Sequence, residues 1–324
     1  MQNKFMYEKD ACGYSILDKS DIEAIHETTL EVMSETGVKA ESKTAQEYFI
    51  GAGCTVDRET DMVKFPPNVV NDAICSAPGR VLLAARDPDQ DIVLEGKRVY
   101  FKNFATGLTV LDPYTKELRE STKKDLSDIA RFCDALPEVD FFTLAVAAQD
   151  VDPRVKDLHE LEAVLSNTTK HFSHDAQNLK NARVIIDMAA CVCGGRENLR
   201  KRPIISMGVC TLSPLELCEE CTDMIIEAAK NGIPMNVLAM GLAGATTPVT
   251  MAGTLVSTNA EVLGGIVLSQ LVEKGAPVMY GTSNTIMDLR FATSPVGAPE
   301  HAMFSAAVGQ IGHYYDIPTD VGGT

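Results

Sequence analysis

The chain has 324 residues, 45% of them hydrophobic and 23% charged, which is enough apolar material for a sizeable core and argues against a disordered or fibrous protein. A formal charge of −16 disfavours nucleic acid and anionic membrane as partners, since both would be repelled, and favours a cationic substrate or a basic protein face. The nine cysteines are an odd number and scattered, as reduced cytoplasmic thiols are, and the first residues hold no apolar secretory run.

Taken in order, the chain opens with a helix over Ser20 to Gly37, in which Ser20 caps, Glu23 completes a capping box and Gly37 terminates. A second helix is expected over Thr44 to Ile50, and a third runs from Pro66-Pro67 to Pro78. From Arg80 to Glu120 the pattern turns to alternation, which predicts antiparallel strands with turns near Gly96-Lys97 and Asp112-Pro113. Residues 1–120 therefore read as a helical and β-hairpin prelude.

Residues 121–324 change texture again, to apolar strands alternating with helices, the mark of βαβ units around a parallel sheet. Strands are expected at Phe141 to Ala147, Lys170 to His174, Ile204 to Cys210, Met235 to Met240, Val278 to Gly281 and from about Thr319. Helices follow over Lys156 to Ser166, Asn178 to Cys193, Pro214 to Asn231, Val249 to Lys274 and Pro299 to Tyr315. The apolar stretch Ala252 to Val272 is interrupted by Ser257, Asn259, Glu261 and Gln270, so it reads as a buried helix and not a membrane span. The fold class is α/β: a (β/α)8 TIM barrel, incomplete at the C-terminus, because a whole barrel takes about 250 residues.

Several groups carry candidate chemistry. His171 and His174 fall near the carboxyl end of a predicted strand, the face on which barrels build sites, but at a spacing that points them to opposite sides, which argues against a shared metal. Cys218-x-x-Cys221 falls inside the helix predicted to start at Ser213-Pro214-Leu215-Glu216, so it is read as core packing, like Cys191-x-Cys193. Gly241 to Gly244, between a strand and a helix, offers either a nest of N–H groups or a tight turn. Tyr280 offers a ring for cation–π contact with an ammonium or simple packing, and Glu300 either a pocket carboxylate or a helix first-turn acid. No metal or nucleotide motif is complete.

The last stretch, YGTSNTIMDLRFATSPVGAPEHAMFSAAVGQIGHYYDIPTDVGGT (Tyr280 to Thr324), resembles the trimethylamine:corrinoid methyltransferase family. TTKHFSHD (Thr168 to Asp175), SMGVCTLSPLEL (Ser206 to Leu217) and AGTLVSTNAEVLGGIVLSQL (Ala252 to Leu271) resemble the same family's segments in the same order. The resemblance implies transfer of a methyl group from trimethylamine to the Co(I) corrinoid of a partner protein, in methylamine catabolism or methanogenesis. It also implies pyrrolysine, encoded by UAG, directly after Thr324, its imine accepting the amine; the chain is then expected to be a fragment, inactive by itself.

The site expected on that basis comprises the pyrrolysine and Glu300 as catalytic groups, with His171, His174, Tyr280, Thr282 and Asn103 binding substrate. Gly241 and Gly244 would stand at the corrinoid's edge. The expected partners are the cognate corrinoid protein, a small methylated amine and further copies of the chain in a homo-oligomer. Two other readings are a glycine betaine or other quaternary-amine:corrinoid methyltransferase of the same family, and a non-catalytic product that binds methylamine or the corrinoid protein.

Overall fold

The computed structural model describes residues 15–322. Helix α1 (Lys19–Glu35) leads to β1 (Val38–Ala40), α2 (Lys43–Gly51), β2 (Thr55–Asp57), β3 (Met62–Lys64) and α3 (Pro67–Ser76). The cap of α1 is Asp18, not Ser20: its carboxylate accepts from the Asp21 N–H, while the Asp21 carboxylate accepts from the Asp18 N–H. Ser20 instead donates its hydroxyl to Asp18 at 2.7 Å.

Strands β4 (Arg80–Leu83) and β5 (Ile92–Glu95) pair antiparallel, and β6 (Thr109–Leu111) pairs with β7 (Leu118–Glu120) around the expected Asp112-Pro113 turn. The turn anticipated at Gly96-Lys97 does not join a hairpin, because the residues after it go elsewhere. Lys102 and Gly107 bridge in parallel to Phe141 and Val146, so this part of the prelude covers the edge of the next sheet.

Then come α4 (Lys123–Asp134), β8 (Phe142–Thr143), α5 (Lys156–Leu165), β9 (Phe172–Ser173), α6 (Leu179–Cys193), α7 (Arg196–Lys201) and β10 (Ile205–Cys210). After these follow β11 (Glu216–Leu217), α8 (Glu219–Asn231), β12 (Met235–Ala239), β13 (Leu242–Ala243), α9 (Met251–Val272), β14 (Val278–Thr282), β15 (Thr285–Ile286), α10 (Pro299–Tyr315) and β16 (Thr319–Val321). Six strands form one curled parallel sheet in the order β16-β14-β12-β10-β9-β8, an incomplete (β/α)8 barrel.

Both faces of the sheet are covered, the outer one by apolar helix packing and the inner one by an apolar plug at one end. On the outer face Val237 meets α9 so closely that a Cβ at Gly265 would lie 2.7 Å from it, which is why glycine stands there. Helix α9 is long and apolar enough to cross a membrane, yet it is the core helix here, with Leu255, Val262, Leu263, Ile266, Val267 and Leu268 buried. Each such side chain contributes about 1.5–3 kcal/mol. On the inner face the β4–β5 hairpin plugs the amino-terminal end of the barrel: Val81, Leu83 and Ile92 pack on Phe141 and Met279. Its backbone is tied to the segments entering β10 and β9 by Ala84 N–H to the Pro203 carbonyl and Arg86 N–H to the Thr169 carbonyl.

The helix expected from Pro214 begins later. Leu215 has φ +56°, outside the helical region, and Glu216–Leu217 pairs in parallel with β1, so α8 starts only after Cys218, its N-cap.

Candidate functional site at the barrel mouth

Above the plug, the inner face of the parallel sheet carries a polar layer that opens towards the strands' carboxyl ends at Asp175. Asp175, just past β9, accepts from the Gly208 N–H at 3.0 Å. Asn236 on β12 donates its amide to Asp320 on β16 at 2.8 Å, and Asp320 also holds the ammonium of Lys102 from the prelude. Gly281 on β14 makes room for this layer, since a Cβ there would come within 2.4 Å of the Asn236 amide oxygen. That oxygen is buried without a hydrogen-bond partner. Asp175 is open to the mouth yet walled by protein, and this enclosure pushes its carboxyl up, against the pull of His174, the Gly208 N–H and Lys102.

The loops around this layer are apolar and exposed. Leu212, Met240, Val249, Leu289, Phe291 and Val296 all stand in solvent on the segments that follow β10, β12 and β14. The loops after β12 and β14 are themselves joined by pairing of β13 with β15. An apolar groove of 840 Å³ lies elsewhere, on the outer helical layer between α1 and α9, with Asp21 the one charged residue among the described residues that line it.

The residues singled out from sequence are distributed around this layer. His171 is buried at the plugged end: its Nδ1–H donates to the Ala84 carbonyl at 2.9 Å and its Nε2 accepts from Ser206 Oγ at 3.0 Å. Burial lowers its pKa to about 4, so the ring is neutral near pH 7. His174 points to the other face, donating Nε2–H to the Asp157 carbonyl and stacking on Phe172 at 4.9 Å. The two histidines are thus apart, as their spacing implied.

Tyr280 is buried against α9, its hydroxyl donating to Asn259 Oδ1 at 2.8 Å. Thr282, also buried, accepts from the Asn284 N–H at 3.2 Å. Asn103 reaches the sheet and behaves as a surrogate strand, donating to the Thr143 carbonyl and accepting from the Thr143 N–H, each at 2.9 Å. Glu300 occupies the first turn of α10, half-buried. In the glycine loop the Gly241 N–H donates to Asn284 Oδ1 at 2.8 Å and the Gly244 N–H to the Thr247 carbonyl at 3.1 Å, so both donors serve the turn itself. Gly323, Thr324 and any pyrrolysine after them lie outside the described residues.

Lys102, Asp175, Asn236 and Asp320 were not singled out by motif. The available signals were a lone Asn in the apolar strand MNVLA and acids placed directly at or after strand ends.

The fold defines a class. Among solved structures it is similar to the hydroxylamine complex of MtmB, with a TM-score of 0.64 at 11% identity, over 94% of this chain and 61% of that one. It is also similar to the Methanosarcina barkeri monomethylamine methyltransferase MtmB, with a TM-score of 0.58 at 10% identity, over 92% of this chain and 66% of that one. Both are likenesses of fold. Residues 2–324 match the trimethylamine methyltransferase (MTTB) family, and the chain belongs to it.

The chain is 48% identical to the trimethylamine methyltransferase MttB of Desulfitobacterium hafniense, over 96% of this chain and 63% of that protein. It is 39% identical to MttB of Methanosarcina barkeri, over 96% of this chain and 64% of that protein. A glycine betaine methyltransferase of Desulfitobacterium hafniense is more distant, at 29% identity over 96% of this chain and 64% of that protein. The chain therefore spans less than two thirds of the length of these relatives.

Proposed function

We propose that this chain is the substrate-holding part of a trimethylamine:corrinoid methyltransferase whose reactive residue is a pyrrolysine following Thr324. The observation that carries the reading is the family match across residues 2–324. In support, β16 runs to the mouth, so a residue shortly after it would stand on the strand-end face where barrels place their chemistry.

The residues of this chain supply binding and enclosure. Asp175 and Asp320 bring two carboxyl groups near the ammonium of Lys102; enclosure holds the Asp175 carboxyl up, and a methylated ammonium beside it would favour its ionised form, so the pair suits a cationic substrate. The exposed apolar rim fits a large macrocycle presented by another protein, and Leu212, Met240 and Phe291 would seat that partner and exclude water from the transfer. The corrinoid, when presented there, supplies a Co(I) nucleophile for the methyl group. Glu300 and the loop from Gly241 to Gly244 are proposed to flank this approach, with the corrinoid, not a metal or nucleotide of this chain's own, as the cofactor. The same reading makes the protein a cytoplasmic homo-oligomer.

The test is methyl transfer by the native protein to a Co(I) corrinoid protein, read from the cobalt absorbance. Trimethylamine should support it and glycine betaine should not. Transfer from betaine alone would move the substrate to quaternary amines, and transfer from neither would contradict the enzyme reading.

A further inference from the structure

The start of α8 gives Cys218-x-x-Cys221 a different setting from the helix interior that its sequence context suggested. Cys218 is the N-cap of this thirteen-residue helix, and its sulfur accepts from the Cys221 N–H at 3.4 Å. Cys221 lies one turn on, buried, with its Sγ 2.6 Å from that of Cys218. The Cys221 S–H has two acceptors in reach, the Cys218 sulfur and the Cys210 carbonyl oxygen at 3.0 Å. Cys218 itself is half-exposed. Among the described cysteines this is the pair whose thiols meet; Cys191 and Cys193, two apart on α6, leave the helix in different directions.

We propose that Cys218 and Cys221 are a redox-active dithiol that closes to a disulfide by exchange with a low-molecular-weight disulfide. Cys218 is the attacking group, because it is the accessible one and sits where the backbone N–H groups of a helix start stabilise a thiolate. The Cys221 thiol and N–H lower its pKa to about 7, although burial and Glu220 in the same turn oppose this. Cys221 is held protonated by the neighbouring sulfur and by burial, which suits a resolving thiol.

The Cys218 thiolate attacks one sulfur of the small disulfide RSSR, forming a mixed disulfide and releasing one thiolate, which takes a proton. Cys221 then loses its proton, and its sulfur attacks the Cys218 sulfur, expelling the second thiol. Two electrons pass from the protein to RSSR, giving two RSH and one internal disulfide. Closure removes the Cys221 S–H from the Cys210 carbonyl, at the end of β10. It also alters a cleft of 180 Å³ that Cys221 shares with Asp175 and Gly208, so the redox state of the pair would be felt at the mouth.

The experiment is an equilibration of the native protein in mixtures of reduced and oxidised glutathione, followed by acid quench, alkylation and peptide mass spectrometry. As the mixture is made oxidising, Cys218 and Cys221 should lose alkylation together, their peptide becoming lighter by two hydrogens, and dithiothreitol should restore both. In Cys221→Ser, Cys218 should instead accumulate the glutathione adduct. In the reduced native protein at neutral pH, iodoacetamide should label Cys218 about tenfold faster than the exposed Cys75. Two thiols that stay alkylatable across the range, a stable glutathione adduct on the native protein, or equal labelling rates would overturn the proposal.

Discussion

At the residue scale, each buried polar side chain can be tested by what it leaves behind. His171 has a folded pKa of about 4, below the ordinary 6.5 of an unfolded histidine. Its contribution is therefore whole above pH 6.5 and is lost as pH falls towards 4, by about 3 kcal/mol for a shift of that size. Denaturant titrations of native protein and His171→Gln should show this loss in the former and not in the latter. Asn259 is the hub of a buried network, donating to Thr29 and Tyr315 and accepting from Tyr280. Asn259→Leu should cost about 3 kcal/mol by stranding those hydroxyls, and Tyr280→Phe in the same chain should recover part of it. Asp175→Asn should raise KM for trimethylamine about tenfold and change kcat less, if Asp175 holds the substrate's charge; an unchanged KM would remove it from the site. That His171 lies near a strand was legible from its apolar surroundings. That it faces a plug was not, because Ala84 is 87 residues away in sequence.

At the element scale, local signatures served well where local contacts decide. The Pro67 start of α3, the Asp112-Pro113 hairpin turn and the span of α10 all follow from turn and cap chemistry. The start of α8 shows the limit. Ser213-Pro214-Leu215-Glu216 satisfies the pattern of a capped helix, but Glu216 belongs to a strand beside β1, where Lys39 meets its carboxylate at 3.3 Å. A second long-range tie fixes the same loop: the buried Glu261 of α9 accepts from Thr211, Ser213 and the Leu215 N–H at 2.7, 2.9 and 3.0 Å. Burial raises the pKa of Glu261 against the pull of those donors. Glu261→Ala should cost about 3 kcal/mol by leaving the donors unpaired, and Glu261→Gln less, since one amide oxygen still accepts. Thermal melts of the two variants give the comparison, and equal losses would show that the loop is held by packing instead.

At the scale of the whole molecule, the βα rhythm was enough to place all six parallel strands, because each strand-helix unit carries its own period. What the rhythm did not show is that the prelude enters the barrel: one hairpin plugs its base, and residues 101–107 line the edge at β8. Lys102, beside that edge, pairs with Asp320 on the opposite edge strand, so this ion pair spans the opening of the curled sheet. Among the described residues β16 pairs with a strand on one side, β14. A protein ending at Thr324 should therefore bind ANS and associate through that strand, whereas a longer product should unfold cooperatively; a monomeric 324-residue protein with a sharp transition would show that these residues close their own core. The central claim, that the mouth completes a methyl-transfer site with a residue beyond β16, is tested most directly by peptide mass spectrometry of the native protein across Asp320 and onward. The predicted result is a peptide that continues past Thr324 with the mass of pyrrolysine. A carboxyl terminus at Thr324, or an ordinary amino acid in the next position, would contradict it.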